Sequence, residues 1–485
     1  MQIIDIVPAT KIPRNLVQTY TYYTQHRLKI GSLVLAPLGQ RKIKAIVIKI
    51  RDFNKLEIKN YDYQLRPIIK VIQKEPVLDK DQLKLAQWMS SYYCEPLSYV
   101  IKSQILNLKS KICSEKLKIL YLKPGKGMFK KLFASNANYK KIIIQDEHSP
   151  LYKSQRAPRI NLRDVAIKLA EIKKIKFELQ SNAPSLESYY KYKLKPKIKN
   201  TKRQIIDMRG EKNIISGALL QELKKSKFSL LFLNRLGAAT LVLCQDCGYI
   251  AKCENCDGPM VYHLFGNQLI CHHCGFKAKA LLTCPKCGSW RIKYLGTGIE
   301  KVKQEIAKLK ISNKILITTL KQKLPKADLV GVISADTILH LPDFRSPERT
   351  FQALVKLNNL SKKMIIQTYG PEHYVFDFDN FYQRELTIRK ELNYPPYCQL
   401  IKLTYRHKNY YKAKTEAYKL YKILNTKYQI PILGPAPAFI SKKRNLYYWN
   451  IILKFSIFNF QFSKNKILEK VTSDWILDID PVSLL

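Results

Sequence analysis

No run of eighteen consecutive apolar residues occurs in the 485-residue sequence, which excludes a membrane-spanning helix on length alone. The amino terminus, Met1-Gln2-Ile3-Ile4-Asp5, lacks the charged-then-apolar order of a secretory segment. The chain is therefore expected to be soluble and cytoplasmic, with no membrane partner and with reduced cysteines. Acidic residues are scarce: 37 Asp and Glu stand against 85 Lys and Arg, a formal charge of +48. A chain so charged repels itself unless a polyanion is near, and nucleic acid is the commonest such partner. Part of the excess has a blander source, because Lys, Ile, Asn and Tyr are the residues an AT-rich genome favours. Drift does not account for all of it, since Asp and Glu are not raised in step.

Cysteine is concentrated. Eight of the eleven fall in four CxxC pairs: Cys244 with Cys247, Cys253 with Cys256, Cys271 with Cys274, and Cys284 with Cys287. Each pair is the tight knuckle that lets two thiolates reach one tetrahedral zinc, so two four-cysteine sites and two zinc ions per chain are expected. Between Cys256 and Cys271 the sequence reads as a strand from Met260 to Phe265, a turn at Gly266-Asn267 and a strand from Gln268 to Ile270. A hairpin brings its ends together. Cys253 and Cys256 would then share an inner site with Cys271 and Cys274, leaving Cys244 and Cys247 to close an outer site with Cys284 and Cys287. Sequential pairing is the alternative. Neither site keeps an open coordination position, so both read as structural. His263, His272 and His273 are spare, as surface or contact residues. Cys94, Cys113 and Cys398 read as ordinary reduced thiols.

The length suits two to four domains. Residues 1–107 alternate short β patterns with one amphipathic helix. Leu33 to Gly39 and Ile43 to Ile48 read as two strands across a glycine-containing turn, typical of a small barrel. Leu83 to Tyr93 reads as a helix with Leu85, Trp88, Met89 and Tyr92 on one side. The order of these elements, with Leu65 to Ile72 and Glu75 to Leu78 between them, resembles the N-terminal DNA-binding domain of the PriA replication restart helicases. The likeness continues along the chain. Leu230 to Gly237 and Leu295 to Glu300 flank the cysteines as in that family. Pro342-Asp343-Phe344-Arg345-Ser346-Pro347-Glu348-Arg349, Ile366 to Tyr369, Tyr394 to Tyr397, Gly434 to Pro437 and Trp475 to Pro481 follow in family order.

The resemblance implies a multidomain α/β chain. Residues 1–107 would form a small β-rich domain binding a DNA 3′ end, and residues 108–200 a remnant of a first helicase lobe. Residues 201–243 and 292–370 would form a second lobe remnant, with the two-zinc module inserted at 244–291 and a C-terminal α+β domain at 371–485. The 3′-end pocket carries over by position to Tyr20, Tyr22, Gly39 and Arg66, with Thr21 where the family has an acid. Rings there can stack on bases for about 1–3 kcal/mol each. Core filling by these tyrosines is the alternative in a chain with 30 of them. Trp88 and Tyr92, one helical turn apart, correspond to the family's pocket for the acidic tail of single-stranded DNA-binding protein. A plain core face is the alternative there.

Several family parts are missing. No GxxxxGK[ST] phosphate loop occurs. The only Gly-Lys step, Gly125-Lys126, lies in a segment with no preceding strand pattern. Ile142 to His148 resembles the DEEH box, but its first acid is Gln145. Where the family carries its arginine finger the chain reads Leu354 to Lys362. Such a finger alone is worth about 10³–10⁵ in rate, so no ATP use and no unwinding are expected. The run Lys193-Leu194-Lys195-Pro196-Lys197-Ile198-Lys199 reads as a solvated linker, with a phosphate-contacting patch as the alternative. Together these features imply a monomeric replication restart protein. It would bind forked or single-stranded DNA, with single-stranded DNA-binding protein and primosome components as partners. The alternatives are a zinc-dependent, ATP-driven 3′–5′ helicase with a divergent nucleotide site, and an RNA- or ribosome-binding use of the zinc module.

Overall fold

The computed structural model describes every residue except 15, 53–64, 109–118, 126, 134–138, 234–239, 256–258, 264–266, 272–273, 296–298, 309–313, 320–323, 429, 458–463 and 465–466. The chain divides into two units, Met1–Ser181 with Lys464–Ile479, and Asn182–Ser463 with Asp480–Leu485. No helix among the described residues is long and apolar enough to cross a membrane.

The first unit opens with an antiparallel sheet of β1 (Gln2–Pro8), β2 (Tyr20–Thr24), β3 (Leu33–Leu38), β4 (Arg41–Asp52) and β5 (Lys70–Gln73), ordered β2-β1-β4-β3-β5. Period-2 alternation puts Ile4, Ile6, Tyr22, Val34, Ala36, Ala45 and Val47 into one buried cluster. The expected small barrel does not close. β2 and β5 remain the two ends of the sheet, and a single bridge, Tyr23 to Pro67, joins β2 to the chain leading into β5. The two bonds of this bridge run from the Tyr23 amide to the Arg66 carbonyl and from the Ile68 amide to the Tyr23 carbonyl, each 3.2 Å.

Helix α1 (Lys80–Tyr93) starts three residues before the expected Leu83, because a capping box fixes its end. Asp79 accepts from the Gln82 amide at 2.7 Å and Gln82 accepts from the Asp79 amide at 2.9 Å. The helix ends at Cys94 in the left-handed region, φ 53°. After α2 (Leu97–Leu108), β6 (Ile119–Leu122), α3 (Met128–Leu132), β7 (Lys141–Gln145), α4 (Leu162–Lys173) and β8 (Lys176–Gln180) build a parallel sheet ordered β6-β7-β8. Strand β6 corrects the reading that no strand precedes Gly125. It is a four-residue edge strand burying only Leu120 and Leu122, too short to show in the apolar pattern. The segment Lys464–Ile479 is fastened within this unit. Buried Lys464 donates to the carbonyls of Ser91 and Tyr92, and buried Lys153 pairs with Asp478 at 3.0 Å.

In the second unit, α5 (Leu186–Tyr192), β9 (Lys202–Asp207), α6 (Gly217–Lys225) and β10 (Phe228–Phe232) precede the cysteine module. The module folds as an antiparallel sheet of β11 (Thr240–Cys244), β12 (Val261–His263), β13 (Gln268–Ile270), β14 (Lys277–Lys279) and β15 (Ile292–Leu295), ordered β14-β13-β12-β11-β15. The chain then returns through α7 (Ile299–Lys308), β16 (Lys314–Thr318), β17 (Ala327–Val332), α8 (Asp336–Leu339), α9 (Ser346–Leu360) and β18 (Ser361–Thr368). Strands β16-β10-β17-β18-β9 form a parallel sheet whose central strands β10 and β17 are near-continuously apolar and buried, as strands covered on both faces are, while the edge strand β9 is polar and exposed. Helix α9 runs into β18 without a connecting residue. Then follow α10 (Phe381–Glu391), β19 (Cys398–His407), α11 (Tyr410–Lys427), β20 (Ile432–Lys443) and β21 (Leu446–Ser456), with β19 and β20 flanking β21.

Buried ions tie this unit together. Arg389 donates to Glu348 and Glu385, each at 2.8 Å, and Arg345 pairs with Glu187 at 2.6 Å and Glu348 at 3.1 Å. Burial penalises both guanidinium ions, and the surrounding carboxylates more than offset it, holding them charged.

Candidate metal centre and nucleic-acid interface

The cysteines converge by strand and turn geometry. Cys244 ends β11, whose amide and carbonyl close a turn with Tyr249 and Gly248. Gly248 has φ +71° and an added Cβ would stand 2.4 Å from the Tyr369 carbonyl, so only glycine lets this knuckle sit against the chain after β18. The sulfurs of Cys244, Cys247, Cys284 and Cys287 lie within 4.8 Å of one another, with Cys244 to Cys287 and Cys247 to Cys284 both 3.6 Å. Asp246 clamps the two knuckles by accepting from Ser289 and from Arg291, the latter at 2.6 Å.

The hairpin β12–β13, paired Val261 to Ile270 and His263 to Gln268, brings the second group together. The sulfurs of Cys253, Cys271 and Cys274 share one 4.8 Å cluster, with Cys253 to Cys274 at 3.5 Å. Cys256, His272 and His273 lie outside the described residues, and His263 sits in β12 outside both groups.

The donor set fits zinc. Ligands about 2.3 Å from a tetrahedral ion stand about 3.8 Å apart, close to these spacings. Burial raises the Cys244 thiol, but the amides of Cys247 and Asp246 outweigh it and bring it down to about 7. The Ser289 amide favours the Cys287 thiolate, yet the sulfur of Cys247 and its neighbours push that thiol up to about 12. Four thiolates in so small a space need a cation to neutralise them.

In the first unit, Tyr20 and Tyr22 occupy alternate positions on β2 and face the sheet's core cluster. The Tyr22 hydroxyl donates to the Pro37 carbonyl, beside the β3–β4 turn that contains Gly39. The Arg66 carbonyl accepts from the Tyr23 amide at 3.2 Å, which seats Arg66 beside β2, and burial raises the Tyr22 phenol, with Tyr20 adding to this and Arg66 opposing it. Gly39 has φ +59° and open space around an added Cβ. Thr21 points to the other side, donating to Asp5 at 2.9 Å, and Arg51 also binds Asp5 at 2.9 Å. On α1, Trp88 stacks on Tyr92 with ring centroids 5.1 Å apart. Lys168 stands 5.9 Å from the Trp88 ring and Lys464 stands 5.3 Å from the Tyr92 ring.

The DEEH-like segment follows β7. Glu147 is buried and pairs with Arg163 at 3.2 Å, while Gln145 meets Gln180 at 3.4 Å. Asn358 and Asn359, at the end of α9, bind the backbone of Lys199 and Lys197.

Three family models match the chain. One described as the 3′ DNA-binding domain matches residues 8–105, the PriA DNA helicase Cys-rich region domain matches 253–279, and the primosomal protein N C-terminal domain matches 390–482. The replication restart protein PriA of Bacillus subtilis (strain 168) is 33% identical over 390 residues, 67% of this chain and 48% of that protein. The PriA of Borreliella burgdorferi is 33% identical over 412 residues, covering 71% of this chain and 62% of that protein. The PriA of Rickettsia felis is 30% identical over 458 residues, covering 80% of this chain and 69% of that protein. The chain belongs to the PriA family. It spans about half of the Bacillus PriA and under two thirds of the Borreliella PriA.

The PriA match to a Cys-rich zinc-ribbon region falls on the described cluster of Cys253, Cys271 and Cys274. Sequence reasoning missed the partners around the PriA-like residues. Arg163 and Arg389 each stand among other basic residues, Arg156 and Arg159 before the first and Arg384 and Lys390 around the second, and only the tertiary fold shows which of them meets Glu147 and Glu348. Lys464 and Lys168 beside the Trp88–Tyr92 pair carry no sequence signal at all.

Proposed function

We propose that this chain is a PriA-type replication restart protein that binds forked or single-stranded DNA through a 3′-end pocket, takes part in primosome assembly, and does not unwind DNA with ATP. The observation that carries the reading is the gathering of Tyr20, Tyr22, Arg66 and the Gly39 turn within the segment matched by the 3′ DNA-binding domain. A stacked base would meet the half-buried Tyr20, whose neighbour Tyr22 is buried in the core and backs the site, while a phosphate would meet Arg66 and the bare Gly39 turn would admit the terminal sugar. The Trp88–Tyr92 stack with Lys168 beside it suits an acidic, aromatic-ended peptide such as the tail of single-stranded DNA-binding protein. Cys244, Cys247, Cys284 and Cys287 would hold one structural zinc, and Cys253, Cys256, Cys271 and Cys274 a second.

The absence of ATP-driven unwinding is supported by three features. No phosphate-loop motif is present. Gln145 stands where an acid would position magnesium, with Glu147 already paired to Arg163. The passage of α9 straight into β18 leaves no loop for an arginine finger. One observation favours the ATP-using alternative: Gly125 and Gly127 lie between β6 and α3 beside β7, the position a phosphate loop takes in such sheets. Steady-state hydrolysis with saturating forked DNA decides. No DNA-stimulated turnover is expected, and about 1 per second, abolished by Glu147→Gln, would establish the alternative. The binding half is tested by comparing forks that carry a free 3′ hydroxyl with forks blocked by a 3′ phosphate. Equal affinities would remove the end pocket.

A further inference from the structure

The lysine run after α5 is not a loose linker. After α5 ends with Lys193 in the left-handed region, φ 54°, the odd positions from Lys195 to Lys199 are exposed and the even ones half-buried, the alternation of an extended chain lying on a surface. Ile198 packs against the large core cluster of the second unit. The backbone is fixed at successive odd residues. The Lys197 amide donates to the Asn182 carbonyl at 2.8 Å, and the Lys197 carbonyl accepts from Asn359 at 2.8 Å. The Lys199 amide donates to Asn359 at 2.8 Å, and the Lys199 carbonyl accepts from Asn358 at 2.7 Å. Thr201 adds a bond to the Asn358 carbonyl at 3.2 Å. Asn358 and Asn359 thus hold the strand from the end of α9.

The geometry points to a phosphate-binding ladder for single-stranded nucleic acid along Lys195 and Lys197, with Lys193 at its head. Alternate residues of an extended chain stand about 6–7 Å apart. That repeat is close to the distance between successive phosphates of an extended single strand, so one ammonium meets each phosphate in register. Among the described residues no carboxylate pairs with any of these lysines. Lys193 rests over the ring of Tyr190, itself 42% exposed, which places a base-stacking surface at one end of the ladder. Because the backbone is already ordered, a bound strand does not bear the cost of ordering it, which separates this segment from a mobile polybasic linker. The ligand class rests on the DNA-binding reading above, whereas the ladder shares no residue with the 3′-end pocket.

The test is a salt titration of the full zinc-loaded chain with 3′-phosphorylated oligothymidylate, which the end pocket would not favour. Replacing Lys195 and Lys197 together by Gln is expected to make log K against log salt shallower by about 1.4, at about 0.7 per lost contact on a single strand. The Lys195→Arg, Lys197→Arg double variant is expected to keep the wild-type slope. Asn359→Ala leaves every charge in place, frees the Lys197 and Lys199 backbone, and is expected to weaken binding several-fold. An unchanged slope in the Gln pair overturns the ladder, as does an Asn359→Ala protein that binds as tightly as wild type. A protein indifferent to a free 3′ hydroxyl that still shows the slope change would lose the end pocket and keep the ladder.

Discussion

The cysteine module and the parallel sheets hold their shapes by opposite means. In the module, the residues that make the candidate site are the residues that make the fold: short strands of three to five residues bring the described cysteines together, and a small apolar cluster itself includes Cys253 and Cys271. In the parallel sheet of the second unit the fold rests on apolar strands, and buried ion pairs tie the surrounding helices together. In the parallel sheet of the first unit, Gln145 can stand in place of an acid because β7 is held by Ile142, Ile143 and Ile144, all buried. A structural metal site is bound to its fold in this way, whereas the fold of a sheet does not depend on the polar residues at its strand ends.

The largest expected effect breaks the module and spares the sheet. Metal analysis under reducing conditions is expected to give two zinc ions per chain, and Cys284→Ser to give one. Metal binding in such modules supplies about 10–16 kcal/mol of apparent folding free energy. Chelation should therefore remove hydrogen-exchange protection from residues 244–291 and leave β10, β17 and β18 protected. A metal-free wild-type chain with intact protection in the module would reverse the comparison.

The converse experiment breaks the sheet-bearing unit and spares the metal. Arg389→Ala takes the guanidinium away from buried Glu385, leaving it the Tyr374 hydroxyl, and leaves buried Glu348 with Arg345 as its remaining cation. Removing one partner of such a network costs about 3–5 kcal/mol. Denaturant unfolding followed on the second unit should show that loss at unchanged zinc content. A change below about 1 kcal/mol would mean that the network is held by something other than its charges.

That network also marks where the sequence stopped being legible. The CxxC spacing and the period-2 hairpin between Cys256 and Cys271 are local signals, and the strands Leu33–Leu38 and Gln268–Ile270 follow the apolar runs that suggested them. The run Pro342 to Arg349 was visible as a motif, but its partner Arg389 is 41 positions from Glu348 and sits in a helix with no apolar periodicity to flag it. The short edge strand β6 escaped for a related reason: its exposed positions are Ile119 and Tyr121, so the two buried leucines stand in a four-residue run with no polar alternation. The open N-terminal sheet differed from the expected barrel because sequence shows strands but not whether the last one pairs with the first.

A pH measurement sharpens the contrast within the second unit. His373 caps the turn after β18, accepting from the Val375 amide at 3.1 Å. Burial disfavours its charged form, His340 adds to this, and Asp336 only partly opposes it, so its pKa falls from 6.5 to about 4. The folded state thus binds fewer protons than the unfolded chain. Its contribution is complete above pH 6.5 and is lost as pH falls towards 4. The loss is on the order of 3 kcal/mol at most. His373→Asn keeps an acceptor for the cap and removes the titration. Zinc release also destabilises at low pH, so the diagnostic quantity is the difference between wild type and His373→Asn across pH 6.5 to 4. Parallel stability curves would show that the imidazole is not buried as a neutral group.

Two glycines give the smallest and most discriminating test. Gly248 and Gly39 both have positive φ, +71° and +59°, so alanine strains the backbone at each. Their surroundings differ. A Cβ at Gly248 would stand 2.4 Å from the Tyr369 carbonyl, while at Gly39 nothing lies within 4 Å. Asparagine tolerates the left-handed region, so Gly248→Asn isolates the clash and Gly39→Asn isolates whatever the bare turn does for a ligand. Gly248→Asn is expected to cost about 1–3 kcal/mol and to weaken zinc retention at the outer site, because the knuckle must move off the chain after β18. Gly39→Asn is expected to change stability by less than about 0.5 kcal/mol. If the turn admits a DNA end, the same Gly39→Asn protein should lose most of its preference for a free 3′ hydroxyl over a 3′ phosphate while keeping its salt dependence on oligothymidylate. Loss of stability at Gly39, or full retention of the end preference, would place that glycine among the residues that serve the fold alone.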